Sequence, residues 1–234
     1  MTTTRKIILA ITLAIIIVAA VAAQNVVILS QHMSYFVLWD SQHMVPAAVC
    51  YNLKASDFRG SINSKPRYFK MDVNLPPPHV RNGDYRHTQF EKGHLCPAGD
   101  RDSRKDWLKD TYCTSNILPM YPQLNSGAWK ETELWCRRAA AIGHELRIAC
   151  GSKYAKDQRN RLYVGRSAVP DSVWKIARCT IHDGEVISWM IPNDTVWRRE
   201  VECRRFVLHN DVSLTYLIRG VDEVLQKYIE SWIK

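Results

Sequence analysis

Four short runs of the chain carry groups that could do chemistry together. The first is Glu91-Lys92-Gly93-His94, where a lone histidine follows a glycine at the end of a short β-like run. The second is Ser115-Asn116-Ile117-Leu118-Pro119, and the third is Leu124-Asn125-Ser126-Gly127-Ala128-Trp129. The fourth is the single carboxylate Glu133. One titratable base is thus followed by two asparagines and a glutamate, and no cysteine–histidine spacing suits a zinc finger. Hard cations such as Mg²⁺ take oxygen ligands and keep most of their waters. A neutral imidazole is the commonest general base near pH 7. Together these groups suit hydrolysis of a phosphodiester on a bound metal.

The order and spacing resemble the DNA/RNA non-specific endonucleases, the family of the Serratia-type nuclease and endonuclease G. The family pattern runs Asp-Arg-Gly-His, Ser-Asn-Ile-x-Pro, Leu-Asn-x-Gly-x-Trp and then Glu. Here the key positions are His94, Asn116, Asn125 and Glu133, so the intervals are 116 − 94 = 22, 125 − 116 = 9 and 133 − 125 = 8 residues. Glu91 and Lys92 stand where the family usually has Asp and Arg. Both keep the charge, but lysine lacks the bidentate fork of arginine.

The resemblance implies an α+β fold, with a ββα-metal nuclease core on a mixed or antiparallel central sheet flanked by helices. It also implies a role for each matched residue. His94 would be the base that activates water. Asn125 would be the direct Mg²⁺ ligand, with Mn²⁺ able to substitute. Glu133 would hold metal-bound water, Asn116 would support the site, and Lys92 would meet a phosphate oxygen. The arginine that stabilises developing charge is not named by the motif. Arg67 is the first candidate from its place before Phe69 and Asp72, with Arg59 and Arg81 as alternatives. The implied substrates are DNA and RNA, single- or double-stranded, cut to 5′-phosphate and 3′-hydroxyl ends without a small-molecule cofactor. A homodimer stays open. The rival reading is a catalytically impaired, membrane-anchored nucleic-acid-binding protein of the same fold.

Several elements must position these residues. Phe90–Leu95 and Thr111–Leu118 read as a strand and its returning partner, with Pro119 ending the second. Asn125–Ala141 is the clearest helix. Asn125, Trp129, Glu133 and Cys136 recur at helical spacing on one face, with Asn125 placed to cap its start and Gly143 to end it. Further strands are expected at Val45–Leu53, Leu146–Cys150, Arg161–Val164, Trp174–Ile181 and Glu185–Ile191, the last two joined by a turn at His182-Asp183-Gly184. A short helix is expected within Arg101–Asp110, and an amphipathic one over Val221–Trp232. Pro76-Pro77-Pro78 marks a stiff loop.

The 234 residues are 46% hydrophobic, which fits one domain with a sizeable core. Arg5 and Lys6 precede an apolar run from Ile7 to Ala23 that ends in small residues, the order of a secretory signal. The expected organisation is therefore a signal peptide or signal anchor at 1–23, an N-terminal arm at 24–44 and the endonuclease domain at 45–234. A cleaved chain would be secreted or periplasmic. An uncleaved one would attach to a membrane through residues 7–29, with its domain outside the cytosol. The formal net charge is +9, or 9 − 2 = +7 without Arg5 and Lys6, which favours polyanionic partners. Seven cysteines in an exported chain predict disulfides, with at least one thiol left over.

Overall fold

The computed structural model describes residues 17–19, 26–60, 62, 66, 68–155, 159–181, 185–198, 204–207, 227, 229 and 231–233. Its frame is an eight-stranded antiparallel sheet in the order β1-β2-β3-β4-β7-β10-β11-β12. These strands are β1 (Ile17–Ala19), β2 (Val26–Gln31), β3 (Phe36–Asp40), β4 (Val45–Leu53), β7 (Leu146–Lys153), β10 (Ser172–Cys179), β11 (Glu185–Pro192) and β12 (Arg204–Val207). The centre is β4, β7 and β10, where Cys50 pairs with Ala149 and Ala149 with Ile176. A separate antiparallel ribbon joins β5 (Glu91–His94) to β6 (Ile117–Met120), and a two-residue pair joins β8 (Tyr163–Val164) to β9 (Ser167–Ala168).

Both faces of the large sheet are covered, so its central strands are apolar throughout rather than alternating. Val49, Tyr51, Ile148, Cys150, Val173, Ala177, Ile187 and Trp189 point into the larger core, which the β5–β6 ribbon and the long helix cover. Phe36, Ala48, Cys50, Ala149, Trp174 and Ile176 face the other way, onto Ile229 and Ile233 of the C-terminal helical residues. The helices are α1 (Lys105–Asp110) and α2 (Lys130–Ala141). Thr132, Cys136 and Ala140 form the buried stripe of α2, at the four-residue spacing that keeps side chains on one helix face. Trp135 meets Trp189 of β11 edge-on at 5.3 Å. Gly143 ends this helix at φ 107, a left-handed conformation open to glycine at little cost.

The structure departs from the sequence reading in five places. Within the stretch read as an N-terminal arm, β2 and β3 are integral strands that pair with each other and, through β3, with β4. Thr111–Leu118 is not one strand. Thr114–Asn116 is a 3-10 turn, and β6 starts only at Ile117. Pro119 does not end β6 but lies within it opposite Lys92, since a two-stranded ribbon has outer edges where a missing N–H costs nothing. Asn125 does not cap α2. Leu124–Trp129 forms a π-type turn ahead of it, broken by non-helical backbone at Gly127 (φ −102, ψ −112). The expected disulfides are absent among the described cysteines, since Cys50, Cys96, Cys113, Cys136, Cys150 and Cys179 are all buried free thiols. Their sulfurs meet other groups instead: Cys150 donates to the Leu95 carbonyl at 3.3 Å, and Cys179 lies 3.2 Å from His144 Nδ1. Cys203, the turn at 182–184, Arg67 and most of the expected 221–232 helix lie outside the described residues.

Candidate active site

His94 is the last residue of β5, opposite Ile117 of β6. Gly93 just before it leaves room for the Met120 side chain. A Cβ there would stand 2.3 Å from Met120 Sδ, and Met120 is fully buried. The chain beyond His94 is held by Asn116. Its amide oxygen accepts from Cys96 N at 2.9 Å, and its amide nitrogen donates to the carbonyls of Cys96 and Thr111, each at 2.9 Å. Leu95 N donates to the Asn116 carbonyl at 2.9 Å. Asn116 is therefore a buried latch whose amide is occupied by main chain, and it fixes the turn that follows His94.

The imidazole packs against a touching pair of rings, with Phe69 at 5.0 Å and Tyr112 at 5.1 Å between centroids and the two rings 5.0 Å from each other. Strand alternation puts Lys92 on the same face of β5. Its ammonium lies 5.8 Å from the centroid of Phe69 and 5.1 Å from that of Tyr85, in a partly dry aromatic surround. Burial, with a smaller push from the Arg86 guanidinium, holds the Lys92 pKa below its usual value.

Asn125 is tied to this strand from the other side, its amide nitrogen donating to Glu91 Oε2 at 2.8 Å. A second tie runs from Trp129 Nε1 to the His94 carbonyl at 2.9 Å. The π-type turn before α2 is thus clasped to β5 at both ends of the strand. Glu133 sits one turn further along α2, within a charge cluster under Trp129. Arg137 Nη2 is 3.7 Å from Glu133 Oε2, and Arg137 Nη1 is 2.6 Å from the fully buried Asp100 carboxylate. Lys175 of β10, also fully buried, holds its ammonium 4.0 Å from the centroid of Trp129. Burial pushes the Glu133 carboxyl up to about 7, Lys175 pulls against that, and the Asp100 carboxylate adds to it.

The structure therefore gathers Lys92, His94 and Asn125 around one strand, and it puts Asn116 behind them as support. Glu133 lies below, linked to them through Trp129. Of the arginine candidates, Arg59 donates to the Ala141 carbonyl at the far end of α2 at 3.2 Å, and Arg81 is exposed. Arg86, which no sequence motif singles out, is the one whose charge is felt at Lys92. Sequence reasoning also misses Tyr85, Tyr112 and Lys175. Lys175 has a signal, as the only charge inside the apolar run Val173-Trp174-Lys175-Ile176-Ala177. Nothing local marks Tyr112, which reaches His94 only through the fold.

A model of the DNA/RNA non-specific endonuclease family matches residues 17–220. The chain belongs to this family. It is 30% identical over 114 residues to the mitochondrial nuclease EXOG of Danio rerio, an alignment that covers 48% of this chain and 33% of that one. It is 29% identical to a nuclease of Nostoc sp., covering 70% of this chain and 64% of the other. With mitochondrial endonuclease G of Bos taurus the identity is 27%, over 72% and 60% of the two chains. The chain thus spans between a third and two thirds of these relatives' lengths. A crystal structure of the EndoG/EndoGI complex superposes with a TM-score of 0.64 at 23% identity, covering 82% of this chain and 83% of that one. That likeness establishes the α+β nuclease fold.

Proposed function

We propose that the protein is an exported, Mg²⁺-dependent endonuclease that hydrolyses phosphodiester bonds of DNA and RNA with little sequence preference. The supporting observation is the clasp around β5, which holds a caged imidazole and an asparagine amide on neighbouring pieces of backbone.

The residues fit a hard divalent cation. Glu91 takes up the Asn125 amide nitrogen at 2.8 Å, so the amide oxygen is the atom Asn125 offers, next to a carboxylate. Asn125, with Glu91 beside it, would hold the ion. Once bound, such an ion supplies charge neutralisation at the phosphate and at the leaving oxygen.

The remaining work falls to the chain's own side chains. His94 accepts a proton from water at a ring nitrogen. The water oxygen forms a bond to phosphorus, the bond to the 3′ oxygen breaks, and that oxygen takes up a proton from solvent to leave as the 3′-hydroxyl. Phe69 and Tyr112 fix the ring plane and exclude bulk water from one side, which keeps the base aligned. Lys92 offers a cation to a phosphate oxygen, and Arg86 adds positive charge beside it. Contacts of this kind read the backbone and not the bases, in keeping with weak sequence preference. Asn116 acts through position, by holding the turn after His94, and Glu133 would order metal-bound water.

Export rests on the order of charge, apolar run and small residues over 5–23. No helix among the described residues is long and apolar enough to cross a membrane. The deciding experiment is a plasmid-nicking assay with Mg²⁺ and with chelator, run on wild type and Asn125→Ala. Cleavage that needs the metal, and a variant that needs far more of it, is the expected result. Metal-independent cleavage, or superimposable metal titrations, would count against the assignment.

A further inference from the structure

A second set of ligating groups lies beyond Phe69 and Tyr112, outside the site just described. His32 just past β2, Asp72 in the segment before the proline run, and Cys113 just ahead of the turn into β6 each offer one ligand atom. All three atoms lie within 4.8 Å of one another. We propose that His32, Asp72 and Cys113 form a binding site for a borderline-soft divalent cation, Zn²⁺ by its ligand chemistry, separate from the oxygen-ligand site at Asn125.

The donor set is the first argument. One imidazole, one carboxylate and one thiol suit zinc and do not suit Mg²⁺, which wants oxygen alone. The geometry is the second. Tetrahedral zinc with bonds of about 2.0–2.3 Å spaces its ligand atoms by roughly 3.3–3.8 Å. His32 Nε2 and Asp72 Oδ2 already stand 3.1 Å apart, so closing the set requires the most distant pair to move by only about 1 Å. Ser115 Oγ lies among all three. It donates to Asp72 Oδ2 at 2.6 Å and lies 3.4 Å from both Cys113 Sγ and His32 Nε2. Ser30 Oγ donates to the same Asp72 oxygen at 2.8 Å.

The support behind the ligands is the third and most telling argument. His32 turns its other nitrogen, Nδ1, to the Asp110 carboxylate at 3.1 Å, and its ring stacks on Tyr35 at 4.3 Å. Both ring nitrogens face carboxylates, so a metal would displace the proton of Nε2 into solvent; the Asp110 carboxylate on the far nitrogen then fixes the ligating tautomer and raises the basicity of Nε2. Asp110 is itself held by Met33 N at 2.8 Å. The three ligands border a cavity of about 330 Å³ that also touches Lys70 and Asp110, which gives an ion an approach from solvent and room for a water as fourth ligand. A metal here would cross-link three segments more than 35 residues apart in sequence. Two of them adjoin the residues that cage His94, since Lys70 bridges to Cys113 and lies next to Phe69. A finger-type spacing search cannot find such a site, because each ligand comes from a different part of the chain.

The test is titration of the full chain with ZnCl₂ in excess Mg²⁺, followed by calorimetry and thermal melting, with CoCl₂ as the spectroscopic probe. The expected result is one tight equivalent that raises Tm, together with a thiolate-to-cobalt charge-transfer band in the near ultraviolet. Cys113→Ser should lose that band, and Asp110→Asn, which leaves all three ligands in place, should weaken zinc binding about 10–100-fold. His94→Ala should bind zinc as wild type does, which keeps this site distinct from the nuclease site. No bound equivalent on the wild-type chain would overturn the proposal without recourse to any variant. So would a cobalt spectrum without the thiolate band, or unchanged affinity in both Cys113→Ser and Asp110→Asn.

Discussion

The indole of Trp129 donates a hydrogen bond to the main-chain oxygen of His94 at 2.9 Å. One bond thus ties the strand that presents the imidazole to the turn that presents Asn125. The same indole ring lies on the Lys175 ammonium, so the tie also reaches the charge cluster that holds Glu133. Trp129 is fully buried, which lets it fix relative position while exposing nothing to a substrate.

Trp129→Phe keeps most of the apolar volume and removes the donor. The variant should lose about 1–3 kcal/mol of stability from the orphaned carbonyl and the small cavity. Its kcat should fall roughly tenfold or more, with KM little changed, because the reacting groups lose alignment and the substrate loses no contact. Denaturant melts and steady-state kinetics on one preparation check both. An unchanged kcat would mean that the tie is structural only.

Gly93→Ala places a methyl against buried Met120, where without relaxation it would stand 2.3 Å from the sulfur. Overpacking of this kind costs about 1–3 kcal/mol. Pairing it with Met120→Ala, which opens space at the same point, should recover part of the loss. Strictly additive losses in the double variant would show that the two side chains do not compete for space.

Much of this arrangement is legible in the sequence because the motifs are local. The Gly-His pair falls on a strand end and Glu133 on a helix, as the sequence suggests, whereas Asn116 and Asn125 sit in turns where the sequence suggests a strand and a helix. What the sequence hides has physical causes. Phe36-Val37-Leu38-Trp39 is buried on both faces, so β3 shows no alternation, and β2 follows so closely on the apolar run of 7–23 that the two merge. Helical spacing from Asn125 to Cys136 suggests one unbroken helix, but Gly127 interrupts it, and the Asn125 amide goes to Glu91 instead of to the helix end. The Phe69–Tyr112 cage joins residues 112 − 69 = 43 apart, at 5.0 Å, and no periodicity reports a contact of that span.

Lys92 stands in its aromatic surround as the cation nearest the base in sequence. Lys92→Ala should weaken binding of a catalytically silent chain to any duplex about equally, and it should lower the log–log salt slope by about 1. Fluorescence binding across a salt series reads this. A loss confined to one sequence would contradict backbone reading.

Glu133 predicts a pH dependence. Its folded pKa of about 7 lies above the ordinary carboxyl value of 4.5, because burial disfavours the charge. Its contribution to stability is therefore fully present below about pH 4.5 and is lost as pH rises through about 7. Glu133→Gln carries no charge to bury. In chelator, wild type should lose on the order of 2–3 kcal/mol more than this variant between about pH 5 and pH 8. Parallel stability curves for the two proteins would rule out a Glu133 that is protonated in the folded state.

The most direct test of the central claim is cleavage by His94→Ala, measured on folded protein with Mg²⁺ and with added imidazole. The account predicts that cleavage falls by orders of magnitude, that binding to DNA and RNA survives, and that free imidazole restores part of the rate by entering the space that His94 leaves beside Phe69 and Tyr112. Near wild-type turnover in His94→Ala would contradict it, since the proton would then leave the water by another route.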